Sequence, residues 1–367
     1  MKNKVLYLSN SIIPSQYANS VHVMKMCQAI ANNGFDVELL CYTTTRSFSI
    51  DKIFEKYGIT KKFKINALSL TKTRAMFYQK IFSIVRFLKK HKTDSIVYGR
   101  DVYSVYLASF LGFKVYYESH GLPASKLHKF AENLLLNNRN LVKIIVISDK
   151  LKQLYLESGI NIDHDKILVL HDGADAIDTN TAKVNLGHGF HIGYVGSLYY
   201  HGRGIDLILE IAKSNMDFSF HLIGGKSSEV AYWNNRATNN VKFYGFLSNS
   251  KISKYLLSFD VVLMPYQDNL RLDGMNLNTI SWMSPMKMFE YMSSNSAIVS
   301  SDFPVIREVL NDENSTLVEF NDVVAWSQAI RNLYEDPDLL NKISSNSYHD
   351  FFEKYTWDRR VQFLKLQ

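Results

Sequence analysis

The sequence predicts an α/β protein built as doubly wound parallel sheets in two Rossmann-like domains. Three observations carry this. Short β-branched runs alternate with stretches of helical periodicity along the whole chain. The rhythm stops once, in a polar, glycine-containing segment from Asp175 to Gly189, and then restarts. The length, 367 residues with 46% apolar side chains, suffices for two separate cores.

The first half should hold strands at Lys4–Leu8, Val37–Cys41, Ile65–Leu68, Ser95–Tyr98, Lys114–Tyr117, Lys143–Ile147 and Ile167–Leu170, with helices such as Val21–Asn32 between most of them. After the break, six more strands are expected at His191–Val195, Ser219–Ile223, Val241–Tyr244, Val261–Met264, Ala297–Ser300 and Thr316–Val318. The join is placed near residues 176–188, giving domains over 1–180 and 181–352. Tyr355–Leu364 forms a final amphipathic helix, with Thr356 as its N-cap.

Composition narrows the class. Cys27 and Cys41 are the only cysteines, too few for a disulfide framework or a four-cysteine zinc site, which favours a reducing compartment. The run Val5–Leu8 is too short for a signal peptide, and no apolar run reaches the length of a membrane span, so a cytoplasmic protein is expected. Net charge is +7 but uneven. Residues 1–180 hold 25 basic and 15 acidic side chains, and residues 51–100 alone hold 13 and 3. That asymmetry points to an anionic partner for the N-terminal half, membrane surface or nucleic acid. Arg74–Lys92 could supply the contact: Met76, Phe77, Ile81, Ile84, Val85 and Leu88 make an apolar stripe beside Lys80, Arg86, Lys89, Lys90 and Lys92. A helix packed on the sheet with a solvated basic face explains the same pattern.

The most informative stretch is Ser284-Pro285-Met286-Lys287-Met288-Phe289-Glu290-Tyr291-Met292, followed by the buried strand at Ala297. It reads as an exposed turn opening a short helix, with one carboxylate on an otherwise apolar face. Unpaired N–H groups at a helix start suit a diphosphate, and a glutamate further in suits a ribose diol. Other polar or glycine-rich segments stand at strand ends, where doubly wound sheets bind ligands. They are Ala18-Asn19-Ser20, Tyr116-Tyr117-Glu118-Ser119-His120-Gly121, Gly193-Tyr194-Val195-Gly196-Ser197 with Gly202-Arg203-Gly204, Phe243-Tyr244-Gly245, and Pro265-Tyr266. Each has a plainer role open to it: Glu290 and Arg203 as surface charges, Ser20 as a helix N-cap, His22 as a satisfied buried histidine.

Together these segments resemble the retaining GT-B glycosyltransferases of family 4, in the subgroup reading S-P-x-K-x-F-E-Y-M. The resemblance runs over nearly the whole chain and is strongest over residues 190–310. It implies two Rossmann-like domains facing a central cleft, with residues 353–367 crossing back onto the N-terminal domain. It implies transfer of a sugar from a nucleoside-diphosphate sugar to a glycan or lipid-linked acceptor, in cell-surface polysaccharide synthesis on the inner face of a membrane, without a cofactor or metal. By resemblance Glu290 binds ribose, while Ser284, Pro285 and the amides of Met286 and Lys287 meet the diphosphate with Arg203. Ala18, Asn19, Gly196, Ser197, Phe243, Tyr244 and Pro265 line the donor site. His120 faces the reacting centre, and Arg100 and Glu118 meet the acceptor, Glu118 alternatively orienting His120. Two positions depart from the pattern. Trp282 replaces a glutamate eight residues before Glu290, and Ser197 replaces an arginine. They leave room for a non-catalytic GT-B nucleotide-binding protein, and a sugar-nucleotide epimerase is a second alternative of related chemistry.

Other classes fail on residues. A dinucleotide fingerprint needs glycines after the first strand, and residues 9–23 contain none. Gly225-Lys226-Ser227 lacks the first P-loop glycine, since residue 220 is Phe. No recognised nucleic-acid motif appears. Asp163-His164-Asp165 and Asp336-Pro337-Asp338 lack a supporting site, so no metal is assigned.

Overall fold

The computed structural model describes residues 3–44, 49–69, 76–123, 125–178, 180–199, 202–270 and 278–366. The start of the helix expected from Arg74 lies outside them, as do the side chains of Met76 and Phe77. All thirteen expected strands are present, several of them a residue or more longer than expected. The chain forms two units, one of Met1–Asp172 with Trp357–Gln367, the other of Gly173–Thr356. The first crossing therefore falls inside the Asp172-Gly173 turn rather than at residue 180, and the return comes at Trp357 rather than at 353.

The N-terminal unit runs β1 (Lys4–Ile12), α1 (Ala18–Asn32), β2 (Asp36–Thr43), α2 (Ile50–Lys56), β3 (Lys64–Ser69), α3 (Met76–Leu88), β4 (Ile96–Gly99), α4 (Val102–Phe110), β5 (Val115–Ser119), α5 (Lys126–Leu136), β6 (Leu141–Val146), α6 (Asp149–Glu157) and β7 (Ile167–Val169). The sheet order is β3-β2-β1-β4-β5-β6-β7. Each pair is parallel; Val5, for instance, faces Val37 on one side and Ile96 on the other. Covered on both faces, β1 and β4 carry unbroken apolar runs, and Val5–Leu8 and Ile96–Tyr98 are buried. The direction of winding reverses between β1 and β4, which places the ligand-binding crevice of such a sheet at their C-terminal ends.

The C-terminal unit runs β8 (His191–Val195), α7 (Ile205–Ser214), β9 (Ser219–Ile223), α8 (Ser227–Asn234), β10 (Val241–Gly245), α9 (Asn249–Leu256), β11 (Val261–Met264), α10 (Met286–Met292), β12 (Ala297–Ser301), β13 (Thr316–Val318), α11 (Val323–Glu335) and α12 (Pro337–Asp350). Its six strands lie in the order β10-β9-β8-β11-β12-β13, with the switch between β8 and β11. Two cores form, one on each face, because successive strand side chains alternate. Tyr194, Val261 and Leu263 join Trp326 on one face; Val195, Val262 and Met264 join Phe289 and Tyr291 on the other. After a short π-turn, the chain re-enters the N-terminal unit as α13 (Trp357–Leu364), which packs on α1.

Two local expectations change. Ser20 is not the N-cap of α1. Tyr17 takes that place, and the Ser20 hydroxyl donates back to Tyr17 O at 2.8 Å from within the first turn. In α3 the expected stripe is partly core: Ile84 and Leu88 are buried, while Tyr78 and Phe82 stand 73% and 66% exposed.

Candidate active site

In the C-terminal unit the site is built from turns at the ends of β8, β9 and β11 and from the start of α10. Gly204 has φ 68°, and a Cβ there would lie 2.0 Å from Pro265 O. Only glycine both adopts that backbone and lets the loop lie on Pro265. The Gly224 backbone approaches Gly196 as tightly, with a Cβ 1.9 Å from Gly196 O. Tyr291 pins α10 to β8. Its hydroxyl accepts from Val195 N–H at 2.7 Å and donates to Val195 C=O at 3.1 Å. Tyr194 extends the same turn, donating to Ser197 O at 2.9 Å.

These constraints bring Arg203 and Lys287 together. The guanidinium of Arg203 lies 5.7 Å from the Tyr266 ring centroid and 5.9 Å from that of Tyr199. Its Nε is buried without a hydrogen-bond partner. Lys287 Nζ lies 4.4 Å from the Tyr266 centroid and 4.5 Å from that of Tyr194. Aromatic faces attract cations but do not neutralise them. Burial pushes the Lys287 ammonium well below its usual range, and the Arg203 charge adds to this against the pull of Glu290. Glu290 stands one turn further along α10, half-buried. Ser284 is buried, and Pro285 occupies the N-cap of α10 with no side-chain hydrogen bond to the helix start. Met286, the first residue of the helix, is half-buried. Pro265 carries the carbonyl that accepts from Gln267 Nε2 at 3.1 Å.

Phe243 and Tyr244 lie near the end of β10. Phe243 packs against the core, and the Tyr244 hydroxyl meets His221 Nδ1 at 2.8 Å while its ring packs on Tyr255. Trp282 is half-buried just before the turn.

In the N-terminal unit a charged cluster closes the strand ends. Glu118, at the end of β5, is 1% exposed. Its Oε1 lies 2.6 Å from His120 Nε2, 2.9 Å from His22 Nε2 and 3.2 Å from Arg360 Nη2, while the Tyr98 hydroxyl donates to Oε2. His22 Nδ1 lies 3.1 Å from Asp172 Oδ1. Neither His22 contact has hydrogen-bond alignment. Burial works against charge on Glu118, but Arg360, His22 and His120 prevail and hold its carboxyl well below the usual range. Asp172 is brought down to about 2: burial opposes, and His22 and His120 overcome it. Burial, then the charge of Arg100, bring His120 down to about 4, so it is neutral near pH 7.

Of the two roles expected for Glu118, its enclosed carboxylate and its contact with His120 favour the one that orients His120. Arg100 follows β4 with its Nη1 buried and without a hydrogen-bond partner. Asp101 accepts from Ser104 N at 3.2 Å as the cap of α4 and does not pair with Arg100. Ala18 and Asn19 are exposed at the start of α1. The ligand atoms of His22, Glu118, His120 and Asp172 lie within 4.8 Å of one another, a spacing a metal ion could use. The Arg360 guanidinium already supplies the cation beside Glu118, and we assign no metal.

His22, Asp172 and Arg360 are the members of this cluster that sequence reasoning passed over as site residues. A signal existed for Arg360. It falls on the buried stripe Trp357, Val361 and Leu364 of an amphipathic helix, where a charge needs a partner.

Two family models match the chain. "Glycosyltransferase Family 4" covers residues 20–177 and "Glycosyl transferases group 1" covers residues 189–336. The chain belongs to the family 4-like GT-B glycosyltransferases. The fold is shared with solved members. A glycosyltransferase from Rickettsia africae ESF-5 is 16% identical, with all of both chains covered at a TM-score of 0.72. The Anabaena protein HepE, in complex with UDP and glucose, is 15% identical over 99% of this chain and 98% of its own at 0.69. The lipopolysaccharide outer core galactosyltransferase WaaB is 14% identical over 99% and 100% at 0.65. No curated protein matches the chain. Among the described residues of this glycosyltransferase, no helix is long and apolar enough to cross a membrane.

Proposed function

We propose that the chain is a retaining glycosyltransferase that uses a nucleoside-diphosphate sugar and acts on a glycan or lipid-linked acceptor in cell-surface polysaccharide synthesis. The observation that carries the donor class is the pair Arg203 and Lys287, two half-buried cations set against tyrosine rings. Holding them together without a ligand is unfavourable, and a diphosphate would supply the missing charge. HepE is solved with UDP-glucose, which supports a nucleotide sugar, and WaaB is a lipopolysaccharide galactosyltransferase, which supports a surface glycan.

In this reading Arg203, Lys287 and the first amides of α10, at Met286 and Lys287, hold the diphosphate beside the Ser284-Pro285 turn, and Glu290 accepts from the ribose hydroxyls. Ala18, Asn19, Gly196, Ser197 and Pro265 line the donor, and the backbone beside Phe243 and Tyr244 reads the base. His120 stands at the reacting centre, and Arg100 binds the acceptor. As the glycosidic bond to phosphate breaks, negative charge grows on the leaving diphosphate, and the two cations stabilise it. The leaving phosphate takes the acceptor proton, and no metal or side-chain nucleophile is required. The basic N-terminal unit meets an anionic membrane through Tyr78 and Phe82 of α3, the exposed aromatics beside Arg86, Lys89 and Lys90.

A thermal-shift panel with UDP, GDP, ADP, CMP and NAD, on wild type and Glu290→Ala, tests the donor class. A nucleotide at 100 times its Kd stabilises by about 2.7 kcal/mol. One nucleoside diphosphate should stabilise the wild type and lose that effect in the variant. No response to any nucleotide would overturn the reading.

A further inference from the structure

Arg360 is 2% exposed on α13, the helix that rejoins the N-terminal unit after the C-terminal unit is complete. Its Nε donates to His171 O at 2.8 Å and its Nη2 to Leu170 O at 3.2 Å, which anchors the guanidinium at the end of β7. Its other contacts face the charged cluster: Nη2 lies 3.2 Å from Glu118 Oε1, and Nη1 lies 3.4 Å from the Tyr98 hydroxyl and 3.3 Å from Met26 Sδ. Glu118 is in turn 2.6 Å from His120 Nε2.

The charge on Glu118 decides more than a contact energy. A carboxylate only accepts hydrogen bonds, whereas a carboxylic acid carries a donor. Opposite an ionised Glu118, His120 Nε2 must carry the hydrogen, and Nδ1 is the acceptor of the ring. Without a nearby cation, burial favours the protonated acid. The same contact then forms with the hydrogen on Glu118 and the histidine in its other tautomer.

We propose that Arg360 is a positioning residue for sugar transfer: its guanidinium keeps Glu118 an acceptor and thereby fixes His120 with hydrogen on Nε2 and the lone pair on Nδ1. The inference rests on the placement of His120 at the reacting centre. The groups that face the ring are Glu118 and Asp172 as anions, Arg100 as a cation, and His22, whose ring stands edge-on with centroids 5.1 Å apart. Arg360 touches Glu118 rather than the His120 ring, so its removal acts on His120 through that carboxylate.

The test compares Arg360→Gln, Arg360→Lys and the double variant Glu118→Gln/Arg360→Gln in the full chain. Spectra of ¹⁵N-labelled histidine report the His120 tautomer, with the signal identified by its loss in His120→Ala. Arg360→Gln should move His120 away from the Nε2–H tautomer and lower kcat by about 10²-fold, the cost of a misplaced catalytic group, with KM for the nucleotide sugar nearly unchanged. It should also shift the acid limb of the kcat profile, and Arg360→Lys should recover part of each effect. If Arg360→Gln alone does not fold, the double variant should, since it buries neither charge, and its turnover should match that of Glu118→Gln. An Arg360→Gln protein with wild-type kcat and tautomer, or a double variant much slower than Glu118→Gln, would overturn the proposal. A changed tautomer with unchanged turnover would overturn the placement of His120 instead.

Discussion

Arg203 and Lys287 both face the ring of Tyr266, and the pull of Glu290 on Lys287 is smaller than the push of Arg203. Two outcomes follow from that conflict. Arg203→Ala should lower turnover by about 10²–10³, the loss typical when one charge-stabilising donor is removed from a transition state. Steady-state assays with saturating nucleotide sugar check it, and unchanged turnover would place Arg203 outside the site. Lys287→Met should split stability from function. Replacing a half-buried ammonium by an apolar chain of similar length should stabilise the ligand-free protein by about 1 kcal/mol, while the stabilisation that a nucleoside diphosphate confers should shrink. Melts with and without nucleotide read both effects, and a variant less stable than wild type without ligand would show that Lys287 is already neutralised. Both residues were legible in the sequence because glycines flank Arg203 and Pro285 precedes the helix of Lys287. Their shared tyrosine surroundings were not, since Tyr194 sits in β8, Tyr199 in the loop after it and Tyr266 beyond β11.

Helices reveal a different limit. Periodicity finds that a helix is amphipathic, but a chain rich in apolar residues can carry more than one apolar set on the same helix. In α3 the buried set includes Ile84, Phe87 and Leu88, while Tyr78 and Phe82 form a second, exposed pair one turn apart. If that pair meets a membrane, Tyr78→Glu/Phe82→Glu should weaken binding to vesicles of anionic lipid at least several-fold, because each glutamate removes apolar insertion and adds repulsion. Turnover on a soluble acceptor should be unchanged. Equal sedimentation of wild type and variant with vesicles would remove α3 from the contact. In α13 the same limit hid Arg360: its long stem suits an apolar stripe, and only the folded unit shows that its head meets Glu118, 242 residues earlier in the chain.

At the scale of the molecule, the buried cluster makes the N-terminal unit acid-sensitive. His120 titrates near 4 when folded, below its ordinary 6.5, so the unfolded chain binds more protons between those values and stability declines as pH falls through that window. Asp172, held at about 2, and Glu118, held well below its usual range, contribute stability that is complete above their ordinary pKa values and lost as pH drops beneath about 4. The Asp172 share alone is on the order of 2 kcal/mol. Denaturant unfolding at pH 7, 5, 4 and 3 should show a modest loss to pH 5 and a steep one below 4. In Asp172→Asn the low-pH slope should flatten, and an unaltered slope would contradict the assignment.

The sequence by itself determined the strands, their grouping into two sheets, and the segments at the strand ends, because these depend on local patterns: apolar runs of strand length, glycines where backbones cross, and a polar break between domains. It also placed Lys287 and Glu290 on a helix, Arg203 in a glycine-flanked loop before one, and His120 directly after a strand. Only the tertiary structure decided where the domains change hands, at Asp172 and Trp357, and what surrounds Glu118. The fate of a carboxylate depends on which charges reach it. The distant ones came from α1 and from the last helix, and no local pattern records a partner supplied across that much chain.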